Sequence, residues 1–103
     1  MSVSDKIKKA LEDRRMLHPN DDYGIEKSWG KLTAILSENE EVTINYLMNC
    51  SKEDVYLISE VFEDVSEKLQ SKRFIECLRK LDEKFPDLNL TYHIDVAEIY
   101  IAD

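Results

Sequence analysis

The chain has 103 residues, 43% of them hydrophobic and 35% charged. That is apolar material for one core, too little length for two, and too hydrophobic a composition for a disordered tail. Fourteen Lys and Arg stand against 22 Asp and Glu, a formal net charge of −8, which disfavours direct binding of nucleic acid and suits a basic protein partner, including one that itself binds nucleic acid.

With only two Gly and two Pro, a β-sandwich, a Gly-rich phosphate loop and long linkers are all disfavoured. No stretch approaches the roughly 18–20 apolar residues of a membrane span. Met1-Ser2-Val3-Ser4-Asp5-Lys6 lacks the apolar segment of a signal peptide. Cys50 and Cys77 fall in apolar, helical surroundings, so reduced, buried thiols in a cytoplasmic protein are expected rather than a disulfide.

Residues 3–17 set Val3, Ile7, Ala10, Leu11 and Arg14 at helical spacing, with Ser2 or Ser4 as cap. His18-Pro19-Asn20-Asp21-Asp22-Tyr23-Gly24 reads as a loop, because Pro19 pushes its predecessor out of helix and Asn, Asp and Gly favour turns. Ile25, Trp29, Leu32 and Leu36 predict a second amphipathic helix over 25–36. Ser37-Glu38-Asn39-Glu40 has the form of a capping box for a third helix near 39–49, with Ile44, Leu47 and Met48 inward. Met16 and Met48 read as core filler.

Ser51 repeats the cap logic ahead of a fourth helix, 52–69, on which Val55, Ile58, Val61, Phe62, Val65 and Leu69 recur at three and four. Ser71 caps a fifth helix over 72–85, with Phe74, Leu78, Leu81 and Phe85 inward, and Pro86 ends it. The C-terminal stretch fits two patterns: Leu88, Leu90, Tyr92, Ile94 and Val96 alternate like a strand, while Leu90, Ile94, Ala97 and Ile101 fit a helix. The expected fold is therefore all-α, one domain over 1–103 of five to six short antiparallel helices in a HEAT-like or orthogonal bundle. The alternative is an α+β fold with a small two-stranded pairing of 41–48 and 88–96. Helix is preferred for both segments, since an isolated two-stranded ribbon is marginal.

Segment 38–67 holds nine acids and one cation, Lys52, so it carries the net charge of the whole chain while the remainder balances at 13 acids and 13 bases. On a continuous fourth helix Glu60, Glu63, Asp64 and Glu67 share the side opposite the apolar stripe, with no Lys or Arg inside the run. That pattern predicts a face for a cationic protein surface, such as the substrate cleft of a nucleic-acid-cutting enzyme. The bland alternative is a solvated helix face. Trp29 and the loop aromatic Tyr23, beside Asp21 and Asp22, are candidate apolar anchors of such an interface.

Signs of chemistry are few. His18 and His93 are the only histidines, and neither sits in a nucleophile, phosphate-loop or zinc motif. The acids of the fourth helix have no loop to supply further oxygens to a cation. No catalytic residue, metal site or cofactor is therefore expected.

Lys27-Ser28-Trp29, Ala34-Ile35-Leu36-Ser37, Ile58-Ser59-Glu60-Val61-Phe62-Glu63-Asp64-Val65-Ser66 and Gln70-Ser71-Lys72-Arg73-Phe74-Ile75 carry a resemblance. Over roughly residues 25–101 the chain resembles the small helical immunity proteins of bacterial contact-dependent growth inhibition and related polymorphic toxin systems. The resemblance implies a non-enzymatic antidote. Its partner would be a cognate toxin domain, a basic nuclease with a ribonuclease favoured, bound in the cytoplasm and blocked at its active site. It places the toxin-binding role on Glu60, Glu63, Asp64 and Glu67, with Gln70 as a polar rim contact. The other reading is an acidic intracellular adaptor or scaffold for a basic regulatory partner.

Overall fold

The computed structural model describes residues 2–102. Seven α-helices run in chain order: α1 (Val3–Arg15), α2 (Asp22–Leu36), α3 (Glu40–Asn49), α4 (Lys52–Ser59), α5 (Phe62–Leu69), α6 (Lys72–Lys84) and α7 (Thr91–Ile99). A 3₁₀ turn, Pro86–Leu88, precedes α7. No strand occurs among the described residues, so the fold is all-α and the 41–48 and 88–96 pairing does not form. Leu90, Ile94 and Ala97 are at most 1% exposed, and burial of these three follows the helical period rather than the alternating one.

Five helices start on side-chain caps that satisfy a first-turn amide. Ser2 accepts from Asp5 N at 3.1 Å, Ser51 from Asp54 N at 3.2 Å and Ser71 from Phe74 N at 3.0 Å. Asn39, rather than Ser37, caps α3, accepting from Val42 N at 3.1 Å. Ser37 instead closes α2. The expected loop 18–24 ends early: Asp21 accepts from Gly24 N at 2.9 Å and starts α2 at Asp22. Gly24 makes this cap possible, since a Cβ there would lie 2.4 Å from Asp21 Oδ2.

The largest departure is the expected fourth helix, which is two. At its middle Glu60 N and Val61 N bond three residues back, to Leu57 O (3.2 Å) and Ile58 O (2.9 Å), a 3₁₀ tightening of the last turn. The Ser59 hydroxyl also bonds back onto Tyr56 O, a bond that bends helices. Val61 then leaves the helix at φ −122°, ψ 13° and α5 begins. The break lets Ile58, Ser59, Val61 and Phe62 all be buried, a wider arc than one face of a straight helix provides.

The core gathers Ile7 and Leu11 of α1, Leu32 and Leu36 of α2, Leu47 of α3, Val55 and Ile58 of α4, Phe62 and Val65 of α5, Phe74, Leu78 and Leu81 of α6, and Leu90 and Ile94. Phe62 and Phe74 meet edge to face at 6.4 Å. Met16 and Met48 are not core filler: both are exposed, Met16 at 85%. On α3 the inward set is Thr43, Tyr46 and Leu47, which turns Met48 outward. Cys77 is buried, Cys50 is half-buried, and both are free thiols. The α5–α7 pair is parallel, with Ser66 Oγ donating to Ala97 O at 2.6 Å and Gln70 Nε2 to Tyr100 O at 2.8 Å.

Candidate functional site

Five of the nine acids in segment 38–67 pair with cations from either side of it. Glu38 pairs with Lys6, Glu40 and Glu41 with Arg73, Asp54 with Arg15, and Glu60 with Arg14. Its one cation, Lys52, pairs with Asp87. Among the described residues no Lys or Arg nitrogen comes within 4.0 Å of the carboxylates of Glu53, Glu63, Asp64 or Glu67. Three of those four lie on α5. The expected face therefore contracts to one short helix.

Glu60 does not belong to it. Its Oε1 accepts from Arg14 Nε at 2.9 Å and from Trp29 Nε1 at 3.0 Å, and its Oε2 accepts from Arg14 Nη2 at 2.9 Å. The Arg14 and Glu60 side chains are 15% and 24% exposed. On an unbroken helix Glu60 would point away from the core; the break after Ser59 swings it inward onto α1 and α2. This half-buried, bidentate pair joins three parts of the chain.

Gln70 is also committed internally. It sits at φ 49°, past the end of α5, with Nε2 donating to Glu67 O and Tyr100 O, both at 2.8 Å, while its Oε1 accepts from Ala102 N at 2.7 Å. It ties down the C-terminal segment rather than standing at a rim. Asp21 caps α2, and Asp22 is exposed in its first turn. Tyr23 is 73% exposed, with Lys27 Nζ 5.2 Å from its ring centre.

The structure brings Trp29, Asp64 and Glu67 together. They line an open groove of about 630 Å³ between α2 and α5, with Glu26, Gly30, Thr33, Ala34 and Lys68. Asp22 lies one turn before Glu26 on the same side of α2. Glu63 faces the other flank of α5, its Oε1 4.0 Å from His93 Nδ1 of α7. Trp29 is half-buried and packs on the core. Its indole N–H is held by Glu60, so ring carbon surface is what it offers the groove.

Two features of the groove lack an internal purpose. Gly30 lies in the interior of the 15-residue α2, where glycine costs about 1 kcal/mol relative to alanine. A Cβ there would meet nothing within 4 Å, so no neighbour in this chain requires the space. Thr33 is 7% exposed and its Oγ1 has no hydrogen-bond partner, a condition costing about 1–3 kcal/mol. Glu26, Gly30 and Thr33 escape a reading centred on the acidic segment. Their signal is the spacing of Asp22, Glu26 and Gly30 at four, legible once α2 is known to begin at Asp22.

No group of three or more His, Cys, Asp or Glu among the described residues is placed to hold a metal ion. No helix among the described residues is long and apolar enough to cross a membrane. Comparison with protein-family models, with curated proteins and with solved structures finds no significant match to this chain.

Proposed function

We propose that this chain is an immunity protein that binds a cognate bacterial toxin domain, a basic nuclease and by preference a ribonuclease, and neutralises it in the cytoplasm by covering its active site. The observation that carries the reading is the set of α5 carboxylates, Glu63, Asp64 and Glu67, left without Lys or Arg partners in a chain that pairs most of its neighbouring acids. A nuclease cleft is built to receive phosphates, and carboxylates on a rigid helix present the same charge. Trp29 and Glu26 across the groove add an aromatic anchor and a fourth anion. The site needs no catalytic group of its own, since inhibition by occlusion is stoichiometric.

The test is co-expression with the toxin domain encoded immediately upstream. The wild-type chain should protect cells and co-purify with that domain. Glu63→Lys, Asp64→Lys and Glu67→Lys together should abolish protection while leaving the fold intact, slowing association at least tenfold at low salt. Glu60 is left unchanged, because its reversal would break the Arg14 pair and confound binding with unfolding. Full protection by the triple variant refutes the reading.

A further inference from the structure

We infer that the α2–α5 groove seats one arginine side chain of the partner protein, its guanidinium plane stacked on Trp29 and its N–H groups on Glu26, Asp64 and Glu67. This rests on the reading above that the partner is a basic protein, and it adds the group recognised and the place where it sits.

Four observations converge. The lining brings three carboxylates from two helices around one aromatic ring, with Lys68 as the only cation. The ring is held in place before anything binds, because the Glu60 bond fixes its N–H edge and Arg14 fixes Glu60. The ring carbon surface that Trp29 offers lies in an anionic setting, which attracts a flat, weakly hydrated cation. Guanidinium has five N–H donors in a planar fork and can serve several carboxylates at once, whereas an ammonium is compact and strongly hydrated.

The remaining two observations concern room and an unused acceptor. Gly30 presents bare backbone where a Cβ would meet nothing within 4 Å, so the α2 wall is open to a ligand at this position. Glycine in a helix interior is costly without such a reason. Thr33 lines the same wall, and its buried Oγ1 is an acceptor that no group of this chain uses.

The chain contains a single tryptophan, so its emission reports the groove directly. The probe is N-acetyl-arginine amide titrated into the full chain, followed by Trp29 fluorescence and by the backbone amide signals of Gly30, Thr33 and Ala34. Saturable binding with a dissociation constant on the order of 1–10 mM is expected for so small a ligand. The neutral isostere, N-acetyl-citrulline amide, should give no saturable change, and the lysine analogue should bind at least about threefold more weakly. Gly30→Leu, which enters open space, should keep the melting temperature at or above that of wild type and abolish the response. Glu67→Gln, a surface change with no packing cost, should weaken it about threefold or more.

No saturable response, equal binding of the citrulline or lysine analogue, or an unchanged response in Gly30→Leu overturns the arginine seat. Against the upstream toxin domain the two proposals separate. If wild type binds it and Gly30→Leu binds it equally well, the immunity reading stands and the seat falls. If wild type does not bind it but arginine amide titrates Trp29 as described, the seat stands and its owner is a different basic protein.

Discussion

Glu60 gives the sharpest test of how this fold uses its charge. On a solvated acidic face, Glu60→Ala would change stability by no more than about 0.5 kcal/mol. In the structure it accepts three hydrogen bonds, two from Arg14 and one from the Trp29 indole. Removing it strands a guanidinium whose side chain is 15% exposed and an indole N–H that is half-buried. A fully buried ion pair broken on one side costs about 3–5 kcal/mol, and an orphaned neutral donor about 1–3. Because the carboxylate is 24% exposed and water can reach part of the site, the expected loss is about 2–3 kcal/mol. That corresponds to a fall of about 10–20 °C in melting temperature for a domain of this size. Urea unfolding followed by circular dichroism and by Trp29 emission measures it. A cycle with Arg14→Met should show about 1–2 kcal/mol of coupling, and Asp64→Ala should cost about 0.5 kcal/mol or less. A Glu60→Ala variant within 0.5 kcal/mol of wild type, or no coupling to Arg14, refutes the argument.

Two further expectations concern pH. Burial pushes the Cys77 thiol from its ordinary 9.0 up to about 11; the folded value is raised, so its stabilisation is complete below pH 9 and is lost as pH rises through about 11. Unfolding free energy should fall by about 2–3 kcal/mol across that window. Cys77→Ala should remove this slope, and a thiol reagent at pH 8 should reach half-buried Cys50 before Cys77; an unchanged alkaline slope in Cys77→Ala refutes the assignment. At the acid end, hydrogen bonds from Lys9, Arg73 and Lys52 hold the carboxyls of Asp13, Glu41 and Asp87 below their ordinary range. Their folded values are lowered, so their contribution is present above the ordinary values of 3.8 and 4.5 and disappears as pH falls through the folded ones. Replacing Lys9, Arg73 and Lys52 by glutamine should shallow the loss of stability below about pH 4, and an identical acid limb in wild type and variant would count against these pairs.

Local chemistry made much of the helical framework legible. Ser51 and Ser71 cap the helices they precede, and the three-and-four spacing in 3–17 and 72–85 matches α1 and α6 to within two residues. Even where strand alternation competed, the helical reading of 41–48 and of the C-terminal stretch holds. Capping and periodicity work because they act within one turn of chain. The same locality explains the misplaced starts. Asp21 and Ser37 are both good cap residues, and which one begins a helix depends on whether the following turn can pack: Gly24 makes room at the first, while the second is held at the end of α2.

Segment 38–67 shows where local reasoning stops. Composition identifies correctly where the surplus acids lie in the chain. It does not identify which of them stay uncompensated, because Lys6, Arg14, Arg15 and Arg73 are 32–46 positions away in sequence from the acids they pair with and adjacent only after the helices pack. Nothing within 52–69 announces the break either. No Gly or Pro interrupts it, and a continuous apolar stripe satisfies the periodicity. The chain bends because Val61 and Phe62 both find burial, an energy that exists only when α2, α6 and α7 are present to bury them. That bend takes Glu60 out of the acidic face and makes it a brace for Trp29, leaving Glu63, Asp64 and Glu67 on α5. Helix type, and the sign and size of the charge, are properties of the chain itself; the direction each charge faces is a property of its packing.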